Sequence, residues 1–147
     1  MSRVLGVDVG LKRTGLAVSD ELRVSVRALA NLIPKSRAED VAALVGTITE
    51  LDVRDVVIGL PLLPRSGDDG AMAKRVRGFA GALHAALTTH ALPCRVHLLD
   101  ERHSSTDATA RLVASGIRRD KRKAALDGEV ARGLVLALLQ GESTEIV

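Results

Sequence analysis

The sequence predicts an α/β fold, a mixed five-stranded sheet flanked by helices. Three observations predict it. Two short β-branched runs are separated by a four-residue turn, two further apolar runs each follow a stretch of helical period, and the last third of the chain is helical in period. A length of 147 residues suits one domain spanning 1–147. A chain of that size buries roughly 68–70% of its unfolded surface, enough for a core without cross-links.

Residues 4–9 form the first strand, an apolar run that contains a single acid, Asp8. Residues 10–13 form a turn and residues 14–19 a second strand, so the pair reads as an antiparallel hairpin. A weaker third strand is expected over 24–29. From Ser36 the period changes: Val41, Leu44, Val45 and Ile48 share one helical face, with Ser36 or Asp40 as the cap. Residues 55–60 are a short strand stopped by Pro61, and 61–70 is a loop rich in Pro and Gly. A helix follows over 71–89, with Val76, Phe79, Ala80, Leu83 and Leu87 on one face. The last strand is 95–99, with Asp100, Glu101 and Arg102 at its carboxyl end. Helices are expected over 104–115 and 126–140, separated by a basic linker over 118–123.

Composition removes several classes of function. Cys94 is the only cysteine, so no intrachain disulfide forms and a reducing, cytoplasmic setting is expected. No apolar run approaches the ~18 residues of a membrane span, and no membrane partner is expected. Phe79 is the only aromatic residue, which excludes binding of single strands by base stacking. The net charge of +3 permits a polyanionic partner without requiring one.

Asp8 is the first chemical anomaly, because a carboxylate inside an apolar strand loses hydration unless it is paired or binds a metal. It also reads as a strand-ending cap of the turn at Gly10. Glu101 follows a strand, where open α/β sheets place their sites, or it belongs to a surface turn. Asp127 stands at the expected start of the last helix, where a negative charge is favourable in any case. If the three converged they would make an oxygen site for Mg²⁺ or Mn²⁺, suited to phosphoryl displacement. His84, His90, His97 and His103 offer no zinc spacing with Cys94, and no Walker loop or nucleophile elbow is present. Arg118, Arg119, Lys121, Arg122 and Lys123, with Lys12 and Arg13 after Asp8 and Arg102 after Glu101, read either as solvated charge or as phosphate contacts. On the expected helix Asp127 shares the face of Ala131 and points to the sheet, whereas Glu129 points to solvent or substrate.

Taken in order, four segments resemble one family. Residues 6–19 (Gly-Val-Asp-Val-Gly-Leu-Lys-Arg-Thr-Gly-Leu-Ala-Val-Ser) are similar to the first motif of the YqgF/RuvX family, the pre-16S rRNA nucleases. Residues 59–62 (Gly-Leu-Pro-Leu), 100–105 (Asp-Glu-Arg-His-Ser-Ser) and 121–127 (Lys-Arg-Lys-Ala-Ala-Leu-Asp) resemble its later motifs. The resemblance implies a ribonuclease H-like fold with Asp8, Glu101 and Asp127 as a catalytic, metal-binding triad for Mg²⁺ or Mn²⁺. It implies action on structured nucleic acid, either the 5′ end of precursor 16S rRNA or, alternatively, a four-way DNA junction. The junction would require a dimer to cut two strands symmetrically, and a monomer or homodimer is expected. A non-catalytic RNA-binding assembly factor on the same fold is the alternative from another class. Asp-x-Gly after a first strand also opens the actin-like phosphotransferases, but those need two lobes and 147 residues supply one.

Overall fold

The structure is a computed structural model that describes residues 2–102 and 119–147, with the backbone alone for 119–124. Its six strands are β1 (Arg3–Asp8), β2 (Thr14–Ser19), β3 (Val26–Leu32), β4 (Val53–Leu60), β5 (Arg95–Asp100) and β6 (Glu145–Ile146). The helices are α1 (Arg37–Leu51), α2 (Ala71–Thr89) and α3 (Arg119–Leu139). The sheet order is β3-β2-β1-β4-β5-β6. β1, β4 and β5 run parallel at its centre, while β2, β3 and β6 are antiparallel to their neighbours.

Side chains alternate between two cores, as the strand period requires. On one face Leu5, Val7, Val56, Ile58, Val96 and Leu98 pack against the buried stripes of α1 and α2. On the other face Val4, Ala17, Val57 and Leu99 pack against Ala131, Leu134 and Val135 of α3. That second face is lined by small residues. A Cβ on Gly6 would lie 2.3 Å from the Ala131 carbonyl oxygen, so β1 has no side chain there and the α3 backbone sits close to the sheet.

Four elements depart from the expected ones. β3 begins at Val26 because Asp20 closes a turn first: its carboxylate accepts from the Val24 and Ser25 amides at 2.7 and 3.0 Å, with Arg23 at a φ of 58°. β4 starts two residues earlier than expected, at Val53, directly after the left-handed Asp52 that closes α1. The sheet gains β6, a sixth strand of two residues that pairs with His97 and Leu98. The basic linker is instead the start of α3: Lys, Arg, Ala and Leu are all good helix formers and nothing between Arg119 and Asp127 breaks the turn. Asp127 therefore stands inside a helix and not at its N-terminus. The helix expected over 104–115 lies outside the described residues. Ser36, not Asp40, caps α1, accepting from the Glu39 amide at 3.1 Å.

Candidate active site

The carboxyl ends of the parallel strands bring the three acids into one row. Asp8 ends β1, shares its face with Val4 and Gly6, and faces α3. Its partner across the β1–β2 ladder is Gly15. Were Gly15 given a Cβ, that atom would lie 2.1 Å from the Asp127 carbonyl oxygen and 2.8 Å from the Asp127 Cβ. The missing side chain on β2 is thus the seat of Asp127, directly beside Asp8.

A second glycine seats the third acid. Val7 pairs with Ile58, so Gly59 is the neighbour of Asp8 on β4 and lies on the same face. A Cβ on Gly59 would lie 2.2 Å from Glu101 Oε2. Glu101 leaves the end of β5, its amide bonded to the Leu60 carbonyl at 3.2 Å, and folds its carboxylate over β4 toward Asp8. Adjacent strands are ~4.8 Å apart, so Asp8 has an acid on each side.

Electrostatics records this crowding. Burial, and then the charge of Asp127, pushes the Asp8 carboxyl up to about 7. Burial, then the charges of Asp8 and Asp100, pushes Glu101 up to about 8. Neither carboxylate has a hydrogen bond or ion pair among the described residues. Asp127 does: Arg13 Nε donates to its Oδ2 at 2.8 Å. No three His, Cys, Asp or Glu side chains among the described residues are already arranged around one cation position. What the site holds is two desolvated oxygen donors without partners and a third paired to an arginine. Such a set suits a hard divalent cation and offers nothing to a soft one.

The basic residues are distributed unevenly. Lys12 is exposed on the turn over the acids, and Arg13 bends back to Asp127. Arg102 grips Asp100 through Nε and a terminal nitrogen at 2.9 and 2.6 Å, so it is an internally paired cation. Arg118 lies outside the described residues. Arg119, Lys121, Arg122 and Lys123 occupy the first turns of α3, and their side chains lie outside the described residues as well. Glu129 does not reach toward solvent; it accepts from Arg132 at 2.8 Å, and Arg132 also donates to the Val26 carbonyl.

Sequence reasoning passed over a second acid in an apolar strand, Asp55, at the opposite end of the sheet. Burial alone would raise its pKa, but hydrogen bonds from His97 and Arg23 hold it below the usual carboxylate range. His97 spans Asp55 and Thr144 at 2.9 Å on each side, which ties the chain just before β6 to β4. The signal was available: Asp55 and His97 both interrupt apolar strands.

Comparison with known proteins adds three findings. A family described as "RuvX: Holliday junction resolvase" matches residues 2–140. Relatives carrying the name "Putative pre-16S rRNA nuclease" occur in Anaeromyxobacter dehalogenans strain 2CP-1, at 40% identity over 95% of this chain and 94% of the relative, and in Koribacter versatilis, at 38% over 94% and 86%. The structure of Thermus thermophilus RuvC in complex with a Holliday junction substrate aligns over the whole of both chains, with a TM-score of 0.61 and 17% identity, a likeness of fold. The fold is therefore ribonuclease H-like, as the sequence resemblance implied.

Proposed function

This chain belongs to the RuvX family, and from that premise we propose that it is a divalent-metal-dependent nuclease that processes the 5′ end of precursor 16S rRNA. The observation that carries the reading is the row of acids seated on Gly15 and Gly59 on either side of Asp8. The names of its relatives support the substrate.

Asp8, Glu101 and Asp127 would hold Mg²⁺ or Mn²⁺, which when bound neutralises charge on the scissile phosphate and activates water. The chain's own part is to crowd the three acids and to leave Asp8 and Glu101 without hydrogen-bond partners among the described residues, so that their oxygens are open to a cation. Arg13 keeps Asp127 oriented from the turn. Lys12, exposed beside it, contacts a phosphate of the substrate, and the basic start of α3 holds more of the backbone. Action in the cytoplasm, as a monomer or homodimer, belongs to the same reading. The lone Cys94 supports it, and among the described residues no helix is long and apolar enough to cross a membrane.

The family's description favours a second reading, resolution of four-way DNA junctions by a homodimer. One experiment separates them. The protein is incubated with end-labelled precursor 16S RNA and with a labelled four-way junction, each with Mg²⁺, Mn²⁺ or EDTA. The expected result is metal-dependent cleavage of the RNA that Asp8→Asn abolishes. Paired symmetrical cuts in the junction, with the RNA intact, would move the assignment to the second reading. Binding without cleavage under every condition would make the protein an assembly factor.

A further inference from the structure

Val9 follows Asp8 and so points to the opposite face of the sheet, into the core shared with α1 and α2. There it lines a cavity of about 250 Å³ whose walls do not include Asp8, Glu101 or Asp127. Gly10 and Thr14, the two ends of the turn carrying Lys12 and Arg13, form one wall. Lys35 and Arg37 from the entry of α1, and Arg75 and Phe79 from α2, form the others.

The charges in this cavity are unbalanced. Lys35, Arg37 and Arg75 make no ion pair among the described residues, whereas Arg77, on the same helix, holds both Asp69 and Glu145. Asp40 is the single acid in the lining, and it already accepts from the Lys35 amide at 3.0 Å. Three cations thus face one carboxylate, and positive charge is in excess. Their placement is also built into the helices. A Cβ on Gly78 would lie 3.0 Å from a terminal nitrogen of Arg37, so α2 leaves a seat for a guanidinium that arrives from α1. Arg75, one turn earlier, shares that face of α2. Thr14 is only 5% exposed, faces the same side, and its hydroxyl has no hydrogen bond among the described residues. Clustered cations with a buried, unpartnered hydroxyl suit an anion rich in acceptor oxygens.

We propose that this cavity is a phosphate subsite, which holds the backbone of the substrate strand after it crosses the turn from the acids to the other face of the sheet. The inference rests on the reading that the substrate is a nucleic acid, and it adds Lys35, Arg37, Arg75 and Thr14 as contacts. Because the backbone wraps over residues 10–13, the subsite fixes the strand on both sides of Lys12.

The test is binding of a fluorescently labelled precursor RNA by anisotropy, in EDTA, over a range of salt. The proteins compared are the wild type and Arg37→Gln/Arg75→Gln. Two lost phosphate contacts should flatten the slope of log K against log salt by about 1.4–1.8, with the thermal midpoint unchanged. Should Arg37→Gln disturb its packing on Gly78, the pair Lys35→Gln/Arg75→Gln reads the same slope from two exposed side chains. An unchanged slope and affinity in both pairs, with the wild type binding normally, would overturn the subsite and leave the nuclease reading intact. A wild type that shows no salt-dependent binding would overturn both. Competition arms identify the source of the phosphate. Displacement of the RNA by a short oligonucleotide, but not by inorganic phosphate at the same phosphate concentration, is the expected result. Equal displacement by inorganic phosphate would make the cavity a free-anion site and overturn the assignment to a strand.

Discussion

At Asp8 and Glu101 the raised pKa values set the behaviour of the metal-free protein. Burial is the larger cause at each, and the neighbouring carboxylate adds to it. Both groups bind protons more tightly folded than unfolded: Asp8 titrates near 7 against an ordinary 3.8, and Glu101 near 8 against 4.5. The native state therefore holds more protons than the unfolded state between those values. Stability of the metal-free chain falls as pH rises through that window. Denaturant midpoints in EDTA at pH 5.5, 7 and 8.5 should decline in that order, with a weaker decline in Asp8→Asn. A divalent cation must displace the same protons, so its affinity should rise with pH up to about 8. Calorimetric titration in buffers of different ionisation enthalpy reads the protons released; a heat independent of buffer would contradict this account. The two acids of α3 also separate at this scale. Asp127 lies on Gly15 beside Asp8, whereas Glu129 is held by Arg132. Asp127→Asn should abolish metal-dependent cleavage and Glu129→Gln should retain most of it, measured as single-turnover cleavage of the RNA. The opposite pattern would remove Asp127 from the metal set.

Among the elements, the glycines of β2 and β4 perform different tasks although both lie under an acid. At Gly59 the atoms in the way belong to the end of the flexible Glu101 side chain. Gly59→Ala should therefore fold almost normally, with a small change in thermal midpoint, and lose metal affinity and cleavage because Glu101 is turned away. At Gly15 the nearest atoms are the carbonyl oxygen and carbon of Asp127, part of the α3 backbone. A side chain there must lift the helix off the sheet, so Gly15→Ala should cost about 1–3 kcal/mol, the range of an overpacked core. Chemical denaturation of the two variants checks the contrast, and equal destabilisation would show that α3 adjusts freely. The early start of α3 fits the same view. The helix lies along β1, β2 and β3, and its basic first turns continue past Asp127 toward the end of the molecule where the acids stand.

Across the whole molecule, binding follows the placement of charge and not the excess of +3. Ion pairs consume Arg23, Arg77 and Arg102, whereas Lys12 on the turn and Lys35, Arg37 and Arg75 of the cavity beyond it make none among the described residues. The start of α3 adds Lys121, Arg122 and Lys123 in sequence. Neutralising those three together should flatten the salt slope of RNA binding by up to about 2–3. With no Trp or Tyr in the chain the measurement needs a labelled ligand, and an unchanged slope would return these residues to solvated charge. Most of the fold is legible in the sequence because its signals are local. Short continuous apolar runs make β1, β2, β4 and β5, a 3.6-residue period makes α1 and α2, and Pro61 ends β4. Asp8 is legible as a candidate as well, since an acid in an apolar strand is anomalous wherever the strand packs, and the four ordered segments that resemble the family name Glu101 and Asp127 as candidates. The register was not legible. No local pattern says that Gly15 lies opposite Asp8, that Gly59 lies beside it, or that their missing side chains make room for the backbone of Asp127 and the carboxylate of Glu101. Nor does composition reveal which arginines are already paired, because Arg102 and Arg37 read alike until Asp100 is found within 2.6 Å of one while the other makes no ion pair among the described residues. Propensity and periodicity act over one or two turns of chain, and they determined the elements. Desolvation, close approach and charge pairing act between residues distant in sequence, so the tertiary structure alone decided which acids crowd together and which cations face the cavity.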